Sequence, residues 1–281
     1  MILLFLLACF FMYKQAKKLV IKKVSVNLGV KIVLLSDLHF DTVLVNHREI
    51  IEKICEVKPE VIVITGDLCS KMKYFYRVEA FLTNLSNRIS CPILITLGNH
   101  DNMIFENQKY KKEEYIKKLQ NLASTISVLE NSVFIYKNWL FGGLEDFRSN
   151  KSDCGYLTKK WKEESEKNIP CNWNTIFFRV IFIHLRCNKK LIILTHNPDM
   201  VLNLNKNNAP EILLAGHTHG GQMRVPFNIE FALLKKDILP KKKIFYGLQE
   251  YNDIRMYITS GIGCSALPFR FRSVAEIAVI Q

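Results

Sequence analysis

The sequence has no pair of cysteines in Cys-x-x-Cys spacing, no internal repeat and no low-complexity linker. Its eight cysteines lie far apart, at positions 9, 55, 69, 91, 154, 171, 187 and 264. This spacing argues against a zinc ribbon and against a dithiol redox motif. In a chain of 281 residues, such cysteines are typical of reduced thiols in a hydrophobic core, so we expect a reducing compartment.

No hydrophobic run reaches the ~20 apolar residues that a membrane-spanning helix usually needs. Residues 1–13 carry no charge, and the lysines that follow closely are Lys14, Lys17, Lys18, Lys22 and Lys23. A cleavable signal peptide would place its positive charge before the apolar stretch. Because lysines tend to stay on the cytoplasmic side, residues 1–20 are predicted to be a short membrane anchor and residues 21–281 a cytoplasmic domain. A buried N-terminal helix or a misassigned start codon are the alternatives, and the protein would then be cytoplasmic.

Acidic residues are outnumbered, because 39 lysines and arginines face 26 aspartates and glutamates, for a net charge of +13. A basic balance indicates an anionic partner, such as nucleic acid, an acidic membrane surface or a phosphorylated substrate. The lysines are spread along the chain, so a lysine-rich proteome would explain the charge equally well. No basic stripe with interleaved aromatic residues is present, and nucleic acid is therefore not the expected partner.

Short apolar runs that end in a polar residue or glycine predict buried strands. Strands are predicted at residues 31–36, 61–65, 92–97, 132–136, 139–143, 191–195, 212–215, 256–259 and 275–280. Helical spacing predicts helices at 46–57, 74–85, 109–122 and 156–167. Periodicity does not decide between strand and helix for residues 176–185. Alternating strands and helices, followed by many strands, predict a layered α/β sandwich.

Five short polar clusters each follow a predicted strand, and they hold five of the seven histidines. They are Asp37-Leu38-His39, Gly66-Asp67, Gly98-Asn99-His100-Asp101, His196-Asn197-Pro198-Asp199 and Gly216-His217-Thr218-His219. Ligands collect at the carboxyl ends of strands in α/β sheets, so one fold could bring the clusters together. Carboxylate and amide oxygens mixed with imidazoles suit manganese, iron or zinc. Two such ions roughly 3.5–4 Å apart would clamp a phosphoryl group and activate water, which favours hydrolysis of a phosphate ester or anhydride.

Each candidate side chain suits a particular role in such a site. The spacing of Asp37 and His39, repeated by His217 and His219, points both members of a pair to one side of a strand. A carboxylate such as Asp67 can bridge two cations.

The remaining candidates come from the other clusters and from the arginines. Asn99 offers a neutral oxygen, and His196 a ligand for the second ion. His100 is predicted to be the general acid, with Asp101 holding its imidazole in one tautomer. Three arginines could contact the substrate phosphate, or they could be solvated surface charges. They are Arg224, Arg270 and Arg272. His47 and His184 fit no cluster and are predicted to be a surface and a core residue.

With these motifs in hand, the chain resembles the calcineurin-like metallophosphoesterase superfamily, whose pattern is D-x-H, G-D, G-N-H-[DE], H and G-H-x-H. The resemblance implies a four-layer α/β/β/α sandwich with two central mixed sheets. It implies that a first divalent ion is held by Asp37, His39, Asp67 and His219. It implies that a second ion is held by Asp67, Asn99, His196 and His217. His100 would be the acid.

The flanking strings GHTHGGQMRVPF and ITSGIGCSALPFRF are similar to a bacterial membrane-associated subgroup that includes YkuE and YaeI. Some of its neighbours are UDP-2,3-diacylglucosamine pyrophosphohydrolases of lipid A synthesis. The resemblance implies a lipid or lipid-linked nucleotide substrate at the cytoplasmic face of the bacterial inner membrane. Gly220-Gly221-Gln222 departs from the lipid A enzymes, which usually lack it. The string Leu68-Cys69-Ser70 after Asp67 departs from the family pattern, which often has a further acidic residue or asparagine there. A general phosphodiesterase, a nuclease or a non-catalytic metal-binding scaffold on the same fold are the alternatives.

Overall fold

The structure, a computed structural model, describes residues 1–106, 110–149, 152–166, 190–204, 209–224 and 237–281. Residues 176–189, including His184, lie outside these ranges, as do Cys171 and Cys187. The cysteines inside them are all free thiols.

Seven α-helices and twelve strands alternate along the described residues. The helices are α1 (Ile2–Ala16), α2 (His47–Val57), α3 (Phe75–Ser86), α4 (Asn99–Met103), α5 (Lys112–Gln120), α6 (Cys154–Glu166) and α7 (Ile238–Lys241). The strands of the first sheet are β1 (Leu19–Val24), β2 (Ile32–Leu35), β3 (Val61–Thr65), β4 (Ile93–Thr96), β5 (Ile126–Val128) and β12 (Ala275–Ile280). Those of the second are β6 (Ser132–Tyr136), β7 (Trp139–Gly143), β8 (Lys190–Leu194), β9 (Ile212–Ala215), β10 (Gly247–Tyr251) and β11 (Ile254–Ile258).

Both sheets are mixed, as predicted. The strand order is β1-β12-β2-β3-β4-β5 in the first sheet and β10-β11-β9-β8-β7-β6 in the second. Strand β12 runs antiparallel to β2, and the hairpin pairs β6–β7 and β10–β11 are antiparallel; the other neighbours are parallel. The parallel strands β2, β3 and β4 therefore end at one edge of the first sheet, and β8 and β9 end at one edge of the second.

Strand β3 shows how the sequence builds the layers. Its side chains alternate between the two faces of the first sheet, as a strand requires. Ile62 and Ile64 pack with helices α2, α3 and α5. Val61 and Val63 pack instead against residues of the second sheet such as Phe141.

A third group of buried residues, including Leu213 of β9, packs against α6 and α7 on the outer face of the second sheet. The chain is thus an α/β/β/α sandwich, which confirms the predicted fold.

The predicted strands and helices all occur within the described residues, with ends displaced by up to three residues. The strands that prediction missed, β1, β5 and β10, have little apolar alternation: in β10 only Gly247 is buried. Pairing with a neighbour decides these edge strands, and a sequence window does not contain that information.

The N-terminal segment forms α1, and the following strand β1 joins the first sheet at Leu19, inside the predicted anchor of residues 1–20. Most of α1 is exposed, and Ala16 is its buried residue. Among the described residues, no helix has the length and apolar content that crossing a membrane requires.

Candidate metal centre

The five polar clusters meet where the two sheets' parallel strands end. Asp37 follows β2, Asp67 follows β3, and Asn99 opens α4 just after β4. His196 follows β8 and His217 follows β9 in the other sheet. The aligned carboxyl ends of parallel strands place these residues together, as expected for open α/β sheets.

The backbone is held in the left-handed region at most of the predicted ligands. The φ angles are 49° at Asp37, 41° at His39, 55° at Asp67, 69° at His217 and 52° at His219. Residues other than glycine adopt this conformation rarely, and each costs of order 1 kcal/mol unless the surrounding structure enforces it. Five such residues in one place mark a site whose side-chain directions the fold enforces.

One half of the site is formed by Asp37, His39, Asp67 and His219. The Nε2 atoms of His39 and His219 lie 3.3 Å apart, with their rings stacked at 15°. Asp37 Oδ1 lies 3.4 Å from His219 Nε2, and Asp67 Oδ2 lies 3.5 Å from His39 Nε2. Asp37 Oδ1 is buried and has no hydrogen-bond partner among the described residues. These side chains thus point oxygen and nitrogen lone pairs at one small space.

The other half shares Asp67, whose Oδ2 atom lies 3.3 Å from His196 Nε2. Asn99 Oδ1 and His217 Nδ1 each lie 3.1 Å from the same His196 Nε2. Asp67 therefore stands between the two halves, in the bridging position.

Hydrogen bonds on the far side of each ring fix which nitrogen faces this second half. His196 Nδ1 lies 2.8 Å from the Thr65 carbonyl oxygen, which can only accept, so Nδ1 carries the hydrogen. His217 Nε2 lies 3.1 Å from Asp237 Oδ2, which also accepts. In the neutral rings, His196 Nε2 and His217 Nδ1 then face each other as two bare acceptors.

Four acceptors, from His196, His217, Asn99 and Asp67, would repel one another without a positive charge among them. The residues of both halves therefore fit divalent cations, and carboxylate, amide and imidazole ligands suit manganese, iron or zinc. Ligand atoms of Asp37, His39 and His219, and likewise those of Asp37, Asp67 and His196, lie within 4.8 Å of one another.

The electrostatics of the site point the same way. Burial alone would raise the pKa of Asp67, but the neighbouring His196 and His39 rings outweigh burial and hold the pKa well below its usual range. Burial lowers the pKa of His39, which keeps its lone pair available. Burial would also lower the pKa of His196, yet the Asp67 carboxylate outweighs it and raises that pKa to about 10. The site thus attracts positive charge to the point where His196 Nε2 lies.

Two glycines allow the ligand loops to approach this closely. A Cβ atom on Gly98 would overlap the Asp67 side chain, and one on Gly216 would overlap Ser36 and the Asp37 carboxylate. Larger residues at either position would push a carboxylate out of place.

His100 lies at the edge of the first half, its ring centroid 4.9 Å from that of His39. Its backbone N–H donates to Asp67 Oδ1 at 2.8 Å. Its Nδ1 atom lies 2.9 Å from the Ser70 hydroxyl. The half-buried ring is therefore oriented by Ser70, three residues after Asp67.

The prediction that Asp101 orients His100 is wrong in this structure. Asp101 is fully buried and accepts hydrogen bonds from the backbone N–H groups of Leu68, Cys69 and Gly98. It joins the loop after β3 to the loop after β4, so it positions Asp67 and Asn99. Asp101 is the third residue of helix α4, so its carboxylate faces the free Gly98 N–H at the helix start and bonds backbone N–H groups there instead of the adjacent His100 side chain.

The prediction that Arg270 contacts substrate phosphate is also wrong, because its guanidinium is fully buried and cannot meet a substrate. It donates to the carbonyl oxygens of Ser260, Gly261 and Gly263 at 2.9, 3.2 and 2.6 Å. It also reaches the His219 carbonyl at 3.4 Å. The Gly261–Gly263 turn lies against Asp37 and His39, with the Gly263 N–H donating to the Asp37 carbonyl at 2.6 Å. Arg270 therefore fixes the backbone behind the first half of the site.

The other two arginines lie outside the cluster of ligands. Arg224 Nε donates to the Gly220 carbonyl at 2.6 Å, and its guanidinium packs over the Tyr246 ring. Arg272 is exposed near the end of α1, with its backbone N–H bonded to Gln15. Contact of either with substrate phosphate stays a prediction. His47, predicted at the surface, is half-buried, with its ring 4.7 Å from that of Phe40.

Sequence reasoning missed Ser70 and Asp237. Ser70 could have been found from the sequence, because it lies three residues after Asp67 on the same loop that follows β3. Asp237 could not, because it lies far along the chain and reaches His217 through tertiary contacts. Asp237 Oδ1 accepts from the Arg148 guanidinium at 2.8 Å. The Asp199 carboxylate accepts from the backbone N–H groups of Ile238 and Leu239, which follow Asp237, at 2.6 and 2.9 Å.

The fold and the site define a metal-dependent hydrolase of the phosphoesterase class. The profile of the calcineurin-like phosphoesterases matches residues 30–221, well over half of the chain. The chain therefore belongs to the calcineurin-like phosphoesterase family, and it is a metal-dependent phosphoesterase, as the sequence motifs predicted.

Two curated bacterial relatives agree with this membership. The chain is 26% identical over 260 residues to the metallophosphoesterase YkuE of Bacillus subtilis, covering 89% of this chain and 78% of that protein. It is 25% identical over 258 residues to the phosphodiesterase YaeI of Escherichia coli, covering 89% and 81%. The crystal structure of TT1561 of Thermus thermophilus aligns with a TM-score of 0.44 at 11% identity, covering 83% and 90% of the two chains.

Proposed function

We propose that this protein uses two divalent ions to hydrolyse a phosphodiester or pyrophosphate bond in a phosphorylated lipid or lipid-linked nucleotide. The observation that carries the metal centre is the meeting of His196 Nε2 and His217 Nδ1 at 3.1 Å, each ring bonded to an acceptor on its far side. The approach of His39 Nε2 and His219 Nε2 to 3.3 Å supports the other ion. We assign the first ion to Asp37, His39, Asp67 and His219. We assign the second to Asp67, Asn99, His196 and His217.

Ions bound there would neutralise phosphate oxygens and lower the pKa of the attacking water. The chain's own residues do the rest. Asp67 joins the two halves and fixes their separation, while its other oxygen accepts from the His100 backbone. The His100 ring, held by Ser70, gives a proton to the leaving oxygen as the bond to phosphorus breaks. The ring is partly exposed, so a substrate can reach it from solvent.

Manganese is the ion that we propose, with iron or zinc as the alternatives. Three carboxamide or carboxylate side chains and four imidazoles form the ligand set, which is too rich in nitrogen for calcium or magnesium. Direct measurement of bound metal in protein purified without chelator decides among the three.

UDP-2,3-diacylglucosamine, cleaved at its pyrophosphate to UMP and a lipid monophosphate, is the sharpest substrate candidate. Support comes from the net charge of +13, which suits an anionic substrate or membrane surface. The similarity to the phosphodiesterase YaeI supports the class of bond cleaved rather than this particular substrate. The place of action that we propose is the cytoplasmic face of the bacterial inner membrane.

The class of reaction is tested with the full chain, loaded with Mn²⁺ and given bis(p-nitrophenyl) phosphate. Wild-type protein should release p-nitrophenol, and Asp67→Ala should lose both activity and bound manganese. Glu250→Ala, which removes an exposed carboxylate on β10, is the matched control and should keep both. Manganese that binds without any hydrolysis would contradict the proposal and favour a non-catalytic scaffold.

The substrate is tested by incubating the Mn-loaded protein with a bacterial lipid extract and following products by mass spectrometry. Appearance of UMP with a lipid monophosphate supports the lipid A assignment. Hydrolysis of model diesters without these products overturns that assignment and leaves a general phosphodiesterase. DNA binding that weakens steeply with salt, together with DNA cleavage, would favour the nuclease.

A further inference from the structure

Helix α1 exposes the largest concentration of apolar side chains among the described residues. The large hydrophobic residues exposed on it and at its N-cap are Met1, Ile2, Leu3, Leu4, Phe5, Leu6, Leu7, Phe10 and Phe11. Leu4 is 72% exposed and Phe10 is 60% exposed. A soluble surface seldom carries such a patch without something to cover it. Because these residues surround the helix on all sides, no single groove of a folded partner would bury them.

Lysines lie at the end of α1 that joins the body of the protein. Lys14, Lys17 and Lys18 are exposed, and Lys23 follows on β1. The first 36 residues contain no aspartate or glutamate, so no acidic side chain of this segment offsets the charge of these lysines. Apolar side chains with a cluster of lysines at one end match a lipid bilayer, whose hydrocarbon takes the former and whose anionic headgroups attract the latter.

The base of α1 rests on the segment that borders the metal centre. The Met12 carbonyl accepts from the Arg270 N–H at 3.2 Å, and the Gln15 side chain accepts from the Arg272 N–H at 2.9 Å. The Gln222 amide, three residues after His219, donates to the Leu267 and Phe269 carbonyls at 2.9 and 3.0 Å. Leu267, at the turn of this segment, is 60% exposed.

We propose that α1 is a membrane-docking helix that inserts its apolar side chains into an anionic bilayer and brings the metal centre to the level of the headgroups. Lys14, Lys17 and Lys18 contact the lipid phosphates, and Leu267 faces the same surface. The partner is the bilayer itself, and the protein would then reach the proposed lipid substrate while that lipid stays in the bilayer. Only this access to a lipid substrate rests on the proposed function.

Vesicle flotation of the full chain tests the docking surface. Wild-type protein should float with vesicles of phosphatidylcholine containing about one-third phosphatidylglycerol, and far less with phosphatidylcholine alone. The double variant Leu6→Glu, Phe10→Glu should stay in solution. The triple variant Lys14→Gln, Lys17→Gln, Lys18→Gln should bind anionic vesicles on the order of 100-fold more weakly. Leu248→Glu is the control, because Leu248 is similarly exposed, at 46%, but lies on β10.

Hydrolysis of bis(p-nitrophenyl) phosphate in the absence of lipid separates the two proposals. Every variant should keep wild-type activity there, which also shows that it is folded. Equal flotation of wild type and the double variant would overturn the docking helix and leave the metal chemistry intact. Self-association through α1 in solution, with no vesicle binding, would overturn it in favour of a second copy of the chain.

Discussion

His217 Nε2 lies 3.1 Å from Asp237 Oδ2, and this bond turns the opposite nitrogen of the ring towards His196. Ligating histidines commonly donate their second N–H to a carboxylate, which fixes the tautomer and strengthens the ligand. The His196 ring is fixed in the same manner by the Thr65 carbonyl. Two bonds outside the cluster of ligands therefore decide that both rings offer lone pairs to one point.

Asp237→Asn should weaken binding of the second manganese ion roughly 10- to 100-fold, because the amide no longer holds His217 as a strong ligand. Calorimetric titration of the metal-free protein with Mn²⁺ measures this directly. Glu250→Gln should titrate like the wild type. Unchanged affinity in Asp237→Asn would show that His217 is oriented without this carboxylate.

Ser70→Ala should lower kcat on a model diester by roughly three- to tenfold, the effect of losing one hydrogen bond to the His100 ring. KM and manganese content should not change, because Ser70 bonds Asp41 through its backbone N–H and His100 through its hydroxyl, and neither partner is assigned to an ion. His100→Ala should lower kcat by roughly 10² to 10⁴ with the metal retained. Ser70→Thr, which keeps the hydroxyl, should restore most of the loss; if it does not, Ser70 acts through packing.

Arg270→Gln should lower the free energy of unfolding by about 3 kcal/mol or more, because several buried carbonyl groups lose their donor. Urea denaturation monitored by circular dichroism measures the change. Arg272→Gln is the matched control and should be nearly neutral, since Arg272 is exposed. A raised KM with wild-type stability in Arg270→Gln would restore the substrate-binding role that the burial of this arginine contradicts.

Removal of metal should lower the thermal midpoint of the wild-type protein by several degrees. Ions that bind only the folded chain stabilise it by about 2.7 kcal/mol when their free concentration is 100 times the dissociation constant. Differential scanning calorimetry with and without EDTA gives the shift. Asp67→Ala should show no such shift, and an equal EDTA effect in that variant would place the stabilising ion elsewhere.

The part of the fold that the sequence predicts consists of strands that are buried on both faces. Strands such as β3 and β9 are apolar throughout, because both faces are buried, and their bounds match the predicted ones. Edge strands such as β1 and β10 carry polar residues that only a neighbouring strand makes extended. Their structure depends on pairing partners far along the chain, such as β12 for β1.

The candidate site divides in a similar way. The ligands could be found from sequence because each ends a buried strand, and parallel strands end together. The roles of Asp101 and Arg270 could not, because each depends on which backbone groups surround it in the folded chain. Asp101 meets three N–H groups and Arg270 meets several carbonyls. Neither surrounding is visible in a local string.

By itself the sequence determined the layered fold and the residues that form the metal centre. Apolar strands must be buried between layers, and the Asp, Asn and His residues that follow these strands are then gathered where the strands end. The tertiary structure decided which groups orient them: Ser70 for His100, Thr65 and Asp237 for the facing imidazoles, and Arg270 for the turn behind Asp37. A hydrogen bond such as that between the His217 N–H and the Asp37 carboxylate joins residues 180 positions apart. Its direction is set by packing across two sheets, which no local pattern encodes.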